Sequence, residues 1–326
     1  MEKLLYNLES FLRRHITRGG FLRICLGAIL VFIAENKFLK FAFAKSKKFP
    51  PRQKKDIKVD HDLISVSGKD PYQNTVKAIA ALGGMSRFVN KGDVVVVKPN
   101  MAWDRNPAQA ANTDPQVVAA LVELCYKAGA KRVNVFDVPC NDARRVYVNS
   151  GIEKAAKEKG AKVFFADHWN VVKAQFPYKS PMENWPIIRD AVVCDTFINV
   201  PVLKDHSLAG LTLSMKNLMG VCSGTRGLIH MDIGRKLVDL TDYIKPELTV
   251  IDATRVLTKN GPSGGNLEDV INLDTVIASQ DATLADYYAA QLVKRDPQTI
   301  PNIKEAVNRG YGITDPAKAD ILTVAL

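Results

Sequence analysis

The order of segments along the chain predicts an α/β fold: a mostly parallel, doubly wound sheet with helices on both faces, plus a small insertion. Residues 93–97 (D-V-V-V-V) form a nearly continuous β-branched run, which is typical of a strand covered on both faces. Asp114 and Pro115 form a helix start signal, and Gly129 ends that helix. Segments of these two kinds alternate along the chain, as they do in parallel sheets with crossover helices.

The other elements follow from the same signals. Val76, Ile79 and Leu82 recur at helical spacing before two glycines, and Gly160 ends a helix that begins at Ile152. Residues 168–190, rich in aromatic residues and prolines, are expected to form the insertion or a small antiparallel excursion. The predicted strands are 63–66, 93–97, 132–138, 162–166, 194–202 and 248–252, and the predicted helices are 72–82, 115–128, 152–159, 211–219, 233–244, 282–294 and 303–309.

The positive charge of the chain is concentrated near its N-terminus. The 326 residues carry a formal net charge of +11, with 47% apolar and 24% charged residues. Residues 1–44 account for +4 and residues 45–58 for +6, so residues 59–326 are close to neutral. This distribution predicts three parts: an export signal or membrane-attached helix (1–44), a basic linker (45–58) and one α/β domain (59–326). A nearly neutral domain argues against a nucleic-acid partner.

The first 44 residues have features of a targeting signal. Ile24 to Ala34 is an apolar run of eleven residues, short for a membrane span but suitable for a secretory signal. Residues 17–23 resemble the twin-arginine export signal, although Gly19 replaces its second arginine, and Ala42 and Ala44 have signal-peptidase spacing. We expect an exported protein, periplasmic or attached to the outer face of the inner membrane. An uncleaved membrane helix and a buried helix of a cytosolic protein are the alternatives. The basic segment 45–58 is suited to contact an anionic membrane surface.

Polar side chains follow several predicted strands at the point where each strand ends. Because the carboxyl ends of parallel strands lie along one edge of a sheet, these side chains are expected to meet there. Lysines at such an edge would hold a carboxylate or phosphate, and a histidine would transfer protons near neutral pH. The candidate catalytic residues are His206, Lys204 and Asp252; the candidate ligand-binding residues are Lys98, Asn100, Asn199, Lys216, Asn217, His230, Asn260, Gly261 and Gly264.

These residues leave three functions open. The first is an anion-binding α/β domain, with or without catalysis by its Lys, His and Asp residues. The second is a redox or metal-binding protein, and the third is a non-catalytic envelope binding protein. For the second, the potential ligands are His206, His230, Asp205, Cys222 and Cys140, but their spacing matches neither a zinc site nor a ferredoxin run, so no metal is assigned. The loop 260–265 is neither a Walker loop nor a dinucleotide fingerprint, so the cofactor remains unknown.

Six blocks, taken in order, resemble the bacterial and archaeal family called domain of unknown function 362. They are V-V-V-K-P-N at 95–100, S-G-I at 150–152, I-N-V-P-V-L-K-D-H at 198–206, S-M-K-N-L-M-G at 214–220, His230 and N-G-P-S-G-G at 260–265. The resemblance covers roughly residues 62–315 and implies an α/β fold without an established reaction. Some relatives carry iron–sulfur modules, whose cysteine run this chain lacks, and others bear twin-arginine leaders.

Overall fold

The centre of the protein is a mostly parallel β-sheet. The structure is a computed structural model that describes residues 47–166 and 169–326. Within these residues, ten strands form the central sheet and three form a smaller one. In chain order the strands are β1 (Lys48–Phe49), β2 (Leu63–Ser67), β3 (Val94–Pro99), β4 (Arg132–Val135), β5 (Lys162–Val163), β6 (Val171–Ala174), β7 (Pro186–Ile188), β8 (Thr196–Val200), β9 (Val202–His206), β10 (Gly210–Thr212), β11 (Leu248–Leu257), β12 (Val270–Ser279) and β13 (Ile321–Ala325).

The central sheet has the strand order β13-β2-β12-β11-β8-β3-β4-β5. Only β12 is antiparallel to its neighbours in this row. After β8 the chain continues as β9, which also pairs with β11 and carries β10 as an antiparallel neighbour. The predicted α/β class is therefore confirmed.

Helices pack on both faces of the sheet. Val95 and Val97 of β3 point into one core cluster, whereas Val96 points into a second cluster on the opposite face, as strand alternation requires. The side chain of Asp114 accepts a hydrogen bond from Gln116 N and so caps the second helix. The helices are α1 (Pro71–Ala81), α2 (Pro115–Lys127), α3 (Ala143–Asn149), α4 (Ile152–Glu158), α5 (Arg189–Val193), α6 (Ser214–Asn217), α7 (Ile233–Ile244), α8 (Ala282–Leu292) and α9 (Pro301–Arg309).

The structure differs from the sequence prediction most clearly between residues 194 and 219. The predicted single strand is interrupted after Val200, and the residues expected to follow it form β9 instead. The predicted helix 211–219 was wrong in its first turn, because Gly210–Thr212 pair with β9 as β10 and the helix begins at Ser214. This β9–β10 hairpin places Lys204 and His206 on a strand, whereas they were predicted to follow the end of one.

The segment 168–190 contains the antiparallel pair β6 and β7, as the predicted excursion required. The short strand β1 joins this small sheet in parallel with β6, although it lies in the segment predicted as a linker.

Basic residues after β1 also contact the domain. Arg52 forms a buried ion pair with Glu247 (3.1 Å), and Lys55 pairs with Asp93. These contacts attach residues 48–58 to the α/β domain. The predicted leader, residues 1–44, lies outside the described residues. In the part of the chain that is described, no helix has the length and apolar character needed to cross a membrane.

Candidate functional site

A cavity of about 340 Å³ lies at the carboxyl ends of the parallel strands. Its walls come from the residues that follow β3 and β4, from β9 and β10, from α6 and from the segment after it. The lining residues are Lys98, Asn100, Ala102, Trp103, Asp137, Val138, Cys140, Lys204, His206, Ser207, Leu208, Thr212, Lys216, Asn217, Met219, Gly220, Arg226, Gly227, His230 and Pro262.

Lys98 and Asp137 form a buried ion pair in this lining, with 3.0 Å between Lys98 Nζ and Asp137 Oδ1. Asp137 also accepts hydrogen bonds from the backbone N–H groups of Met101 (2.7 Å) and Val138 (2.8 Å). Burial lowers the pKa of Lys98, and the nearby Asp137 carboxylate opposes that shift. The positive charge of Lys98 is therefore already neutralised by Asp137.

Gly220 covers this ion pair. A Cβ atom at position 220 would lie 1.8 Å from Asp137 Oδ1 and 2.5 Å from Lys98 Nζ. Both distances are far shorter than any real carbon contact, so the site requires the absence of a side chain here.

Asn217 connects the ion pair to the neighbouring strand. Its Oδ1 accepts hydrogen bonds from Lys98 Nζ (3.0 Å) and Asn100 Nδ2 (3.1 Å). Its Nδ2 donates to Asn199 Oδ1 (2.9 Å) and to the carbonyl of Lys98 (3.2 Å). Asn199 therefore contacts a lining residue. All four hydrogen-bonding positions of the Asn217 side-chain amide are occupied, and these bonds hold α6 against the strand ends.

The start of α6 is fixed by a buried carboxylate. Asp286 accepts hydrogen bonds from the backbone N–H groups of Ser214 (2.7 Å) and Met215 (3.2 Å). Burial raises the pKa of Asp286 to about 7. Because α6 carries Lys216 and Asn217, Asp286 positions two lining residues without touching the cavity.

Lys204 is held by neutral oxygen atoms. Its Nζ donates to the carbonyls of Ala111 (2.5 Å) and Pro262 (3.0 Å) and to Asn100 Oδ1 (3.3 Å). It forms no ion pair with any residue in the described ranges. Burial, reinforced by the charge of Lys216, lowers the pKa of Lys204 to about 7.

The side chain of Lys216 lines the same cavity and forms no hydrogen bond or ion pair with the residues that the structure describes. Burial, together with the charges of Arg226 and Lys98, lowers its pKa to about 8. Arg226 is fixed differently, because its guanidinium donates to the carbonyls of Val138 (2.7 Å) and Pro139 (2.9 Å). Among the residues that the structure describes, Lys216 therefore supplies a lining amine without a partner.

Two histidines stack beside these lysines, with ring centroids 5.6 Å apart. His206 Nδ1 accepts hydrogen bonds from the backbone N–H groups of Leu208 (3.2 Å) and Ala209 (3.3 Å), which places its proton on Nε2. Burial and Lys216 lower the pKa of His206 to about 3. His230 Nδ1 faces the carbonyl of Gly227 (3.2 Å), so its Nε2 is the acceptor, and burial lowers its pKa also. Both rings are neutral at physiological pH.

Two buried polar atoms of the lining lack hydrogen-bond partners among the described residues: His230 Nε2 and Thr212 Oγ1. Thr212 as a whole is only 3% exposed. Buried polar atoms are nearly always hydrogen-bonded, so unpaired ones in a cavity wall mark positions where a ligand would bind. Of the lining residues, Lys98, Lys204, Lys216 and Arg226 are cationic and only Asp137 is acidic.

Seven of the twelve predicted residues line this cavity. Asn199 contacts Asn217 from behind the lining, and four residues lie elsewhere. The seven lining residues are Lys98, Asn100, Lys204, His206, Lys216, Asn217 and His230.

Asp252 does not line the cavity. Because β11 continues to Leu257, Asp252 lies within the strand and not at its end. Its carboxylate accepts hydrogen bonds from Asp114 N (2.6 Å) and from Thr254 N (2.9 Å) and Oγ1 (2.6 Å). Burial and the Asp114 charge raise its pKa to about 6. The prediction that it orients a histidine is therefore not supported by its position.

The glycine-rich loop reaches the cavity through one residue only, Pro262. Asn260 donates to Asp269 Oδ2 (2.8 Å), and the carbonyl of Gly264 accepts from Arg105 (3.1 Å). A Cβ on Gly261 would lie 1.9 Å from the carbonyl oxygen of Asp205, so this glycine allows the loop to pack against β9. The predicted ligand-binding glycines instead position the carbonyl that Lys204 contacts.

Thr212, Arg226 and Trp103 were not among the predicted site residues. No motif marks them, because each reaches the cavity through the pairing of β10 or the path of a loop.

The cysteines show no metal or redox arrangement within the described residues. Cys125, Cys140, Cys194 and Cys222 are free thiols, and no three His, Cys, Asp or Glu side chains there are grouped to hold a metal ion. Cys140 lines the cavity, with its sulfur 4.0 Å from Arg226 Nη2.

The fold and the cavity define an α/β protein with a cationic pocket at the carboxyl ends of its strands. Residues 95–291 match the family described as "Domain of unknown function (DUF362)", and the chain belongs to this family. A thylakoid-associated protein from Synechocystis sp. is 29% identical over 243 residues, which cover 72% of this chain and 73% of that protein. The lactate racemase apoprotein from Thermoanaerobacterium thermosaccharolyticum aligns with a TM-score of 0.41 and 10% identity, over 74% of this chain and 58% of that one.

Proposed function

We propose that the domain binds a small anion, a carboxylate or a phosphate, in the cavity at the carboxyl ends of its strands. The observation that carries this proposal is the pair Lys204 and Lys216, a buried and a half-buried amine that face one cavity and have no carboxylate partner in the described residues. Enclosed ammonium groups are costly unless a negative charge is close to them. A bound anion supplies that charge.

The remaining lining groups suit such a ligand. Lys98 is neutralised by Asp137, so the anion lies nearer to Lys204 and Lys216 than to the ion pair. The hydroxyl of Thr212 is free to donate a hydrogen bond to an anionic oxygen. Anion binding favours the charged forms of both lysines and therefore raises their pKa values.

The histidine pair adds groups for proton transfer. The tautomers set by the backbone leave His206 Nε2 as a proton donor and His230 Nε2 as an acceptor. A neutral imidazole can accept a proton only from a group of the ligand that is still protonated, because the carboxylate or phosphate itself is already ionised. His230 is the better base, since its acceptor nitrogen is unoccupied.

A thermal-shift screen of small carboxylates and phosphates tests the binding proposal. We expect at least one compound to raise the melting temperature of the wild type and of Lys131→Met. Lys131 is an exposed lysine just before β4, at the opposite edge of the sheet. The same compound should have little effect on Lys216→Met. Equal stabilisation of Lys216→Met, or no stabilisation by any anion, would refute the proposal.

We infer a membrane-associated location as a second, separate property. The Synechocystis relative supports it by its name, and the apolar run Ile24 to Ala34 supports it by composition. Export is part of this proposal. Mass determination of the mature N-terminus, together with salt and carbonate washes of the membrane fraction, tests it. A full-length protein found only in the supernatant would contradict both statements.

A further inference from the structure

The cavity has an apolar side as well as a cationic one. Trp103, Val138, Leu208 and Met219 line it together with the lysines. A bare phosphate or acetate would contact the charged groups and leave these apolar surfaces in water. Ligand sites with apolar walls and a few polar groups generally take ligands that match both parts.

Large apolar side chains are also exposed on segments that contribute residues to the cavity wall. Leu208, which lines the cavity, is 65% exposed. Leu228 (50% exposed) and Met231 (67% exposed) lie in the segment around His230. The backbone N–H of Leu208 donates to His206, and His206 stacks on His230, so the two segments that carry these side chains meet at the histidine pair. An exposed leucine in the wall of a pocket is suited to contact an apolar part of a ligand.

We infer that the ligand is an amphiphilic anion: a carboxylate or phosphate bound beside Lys204 and Lys216, with an apolar chain that passes Trp103 and leaves along Leu208. This inference rests on the proposed anion-binding function and adds the chemical class of the ligand.

The cavity volume limits the size of the enclosed part. About 30 Å³ per non-hydrogen atom, the volume of a water molecule in the liquid, corresponds to about eleven such atoms in the 340 Å³ cavity. Octanoate, an eight-carbon carboxylate, has about this size. Longer chains would extend outward along the exposed side chain of Leu208.

The test is a chain-length series of acetate, butanoate, hexanoate and octanoate, with methyl and octyl phosphate as the phosphate pair. Dissociation constants are measured by calorimetry at pH 7 on the full chain. Each buried methylene should tighten binding by about threefold to fourfold, so octanoate, with four more methylenes than butanoate, should bind about 80-fold to 250-fold more tightly. Leu208→Ser should weaken octanoate binding by about fivefold and leave acetate unchanged. Leu267→Ser removes an equally exposed leucine (58%) that does not line the cavity, and it should change neither.

The possible failures of the two proposals are distinguishable. Binding of all carboxylates with one affinity would refute the amphiphilic ligand and leave the anion site intact. Chain-length dependence that is the same in Leu208→Ser and the wild type would refute the path along Leu208. Absence of binding by every member of both series would refute this inference and the proposed function together.

Discussion

Replacement of Gly220 by alanine should strongly destabilise the protein. The added Cβ would lie 1.8 Å from Asp137 Oδ1 and 2.5 Å from Lys98 Nζ, so one partner of the buried ion pair must move by more than 1 Å. Asp137 is held by two backbone N–H groups, and the Lys98 ammonium by Asn217 and the Pro99 carbonyl. Breaking a buried ion pair costs about 3–5 kcal/mol, and we expect a loss of that size in the free energy of unfolding.

The matched control is Gly227→Ala. Gly227 also lines the cavity and also lies in a 3₁₀ segment, but an added Cβ there would contact nothing within 4 Å. Its effect should stay within about 0.5 kcal/mol, as for an unstrained surface substitution. Urea unfolding followed by circular dichroism gives both values. A loss below about 1 kcal/mol for Gly220→Ala, or equal losses in the two variants, would show that the Lys98–Asp137 geometry is wrong.

Three further substitutions test the buried charges and the unpaired hydroxyl. Above pH 7, the free energy of unfolding of the wild type relative to Lys204→Met should rise by up to about 1.4 kcal/mol per pH unit. The reason is that the folded protein releases the Lys204 proton there, while the unfolded chain keeps it until about pH 10. A difference in unfolding free energy that does not change with pH would contradict the lowered pKa of Lys204. Thr212→Val should leave the unliganded protein as stable as the wild type or up to about 1 kcal/mol more stable, because its hydroxyl has no hydrogen-bond partner among the described residues. A clear decrease in the free energy of unfolding, measured with urea, would indicate an internal partner for this hydroxyl. Arg52→Met should lower the free energy of unfolding by about 3–5 kcal/mol, because it leaves the buried Glu247 without its ion-pair partner. Lys48→Met removes an exposed ion pair and should lower it by less than about 1 kcal/mol. Similar losses in the two variants would mean that the basic segment does not pack as described.

The sequence located the cavity through a general property of parallel sheets. Lys98 comes directly after a run of β-branched residues, which identifies a strand that is covered on both faces. The neighbouring parallel strand, β8, carries a polar residue, Asn199, opposite Lys98. Parallel pairing brings these ends to one edge whatever the strand order is. That is why residues more than 100 positions apart, such as Lys98 and Asn217, were predicted together and are found hydrogen-bonded.

The errors arise where tertiary pairing extends or redirects an element. Asp252 was expected at a strand end, but pairing with β12 prolongs β11 to Leu257 and buries the carboxylate within the strand. Thr212 was expected on a helix, but pairing with Lys204 makes it part of β10 and turns it toward the cavity. Local composition does not report such pairings. The unpaired state of Lys216 is likewise visible only when all neighbours are placed.

The pH dependence of anion affinity tests the central claim most directly, namely that Lys204 and Lys216 hold a negative charge in one cavity. Acetate and octanoate stay ionised between pH 6 and 9.5, so changes in their affinity over this range report on the protein. With pKa values of about 7 and 8 in the free protein, the lysines lose their charge as the pH rises, and binding must take up protons.

Calorimetric titration at steps of half a pH unit should show nearly constant affinity below about pH 6.5 and a fall of about tenfold per pH unit between pH 7 and 8. Above pH 8, where both lysines have lost their protons, the fall should approach about a hundredfold per pH unit. Titrations in two buffers of different ionisation enthalpy should show proton uptake on binding at pH 8.5. In Lys216→Met the affinity should be weaker at every pH and its fall less steep. An affinity that does not change between pH 6 and 9.5, or one that Lys216→Met leaves unaltered, would contradict the account.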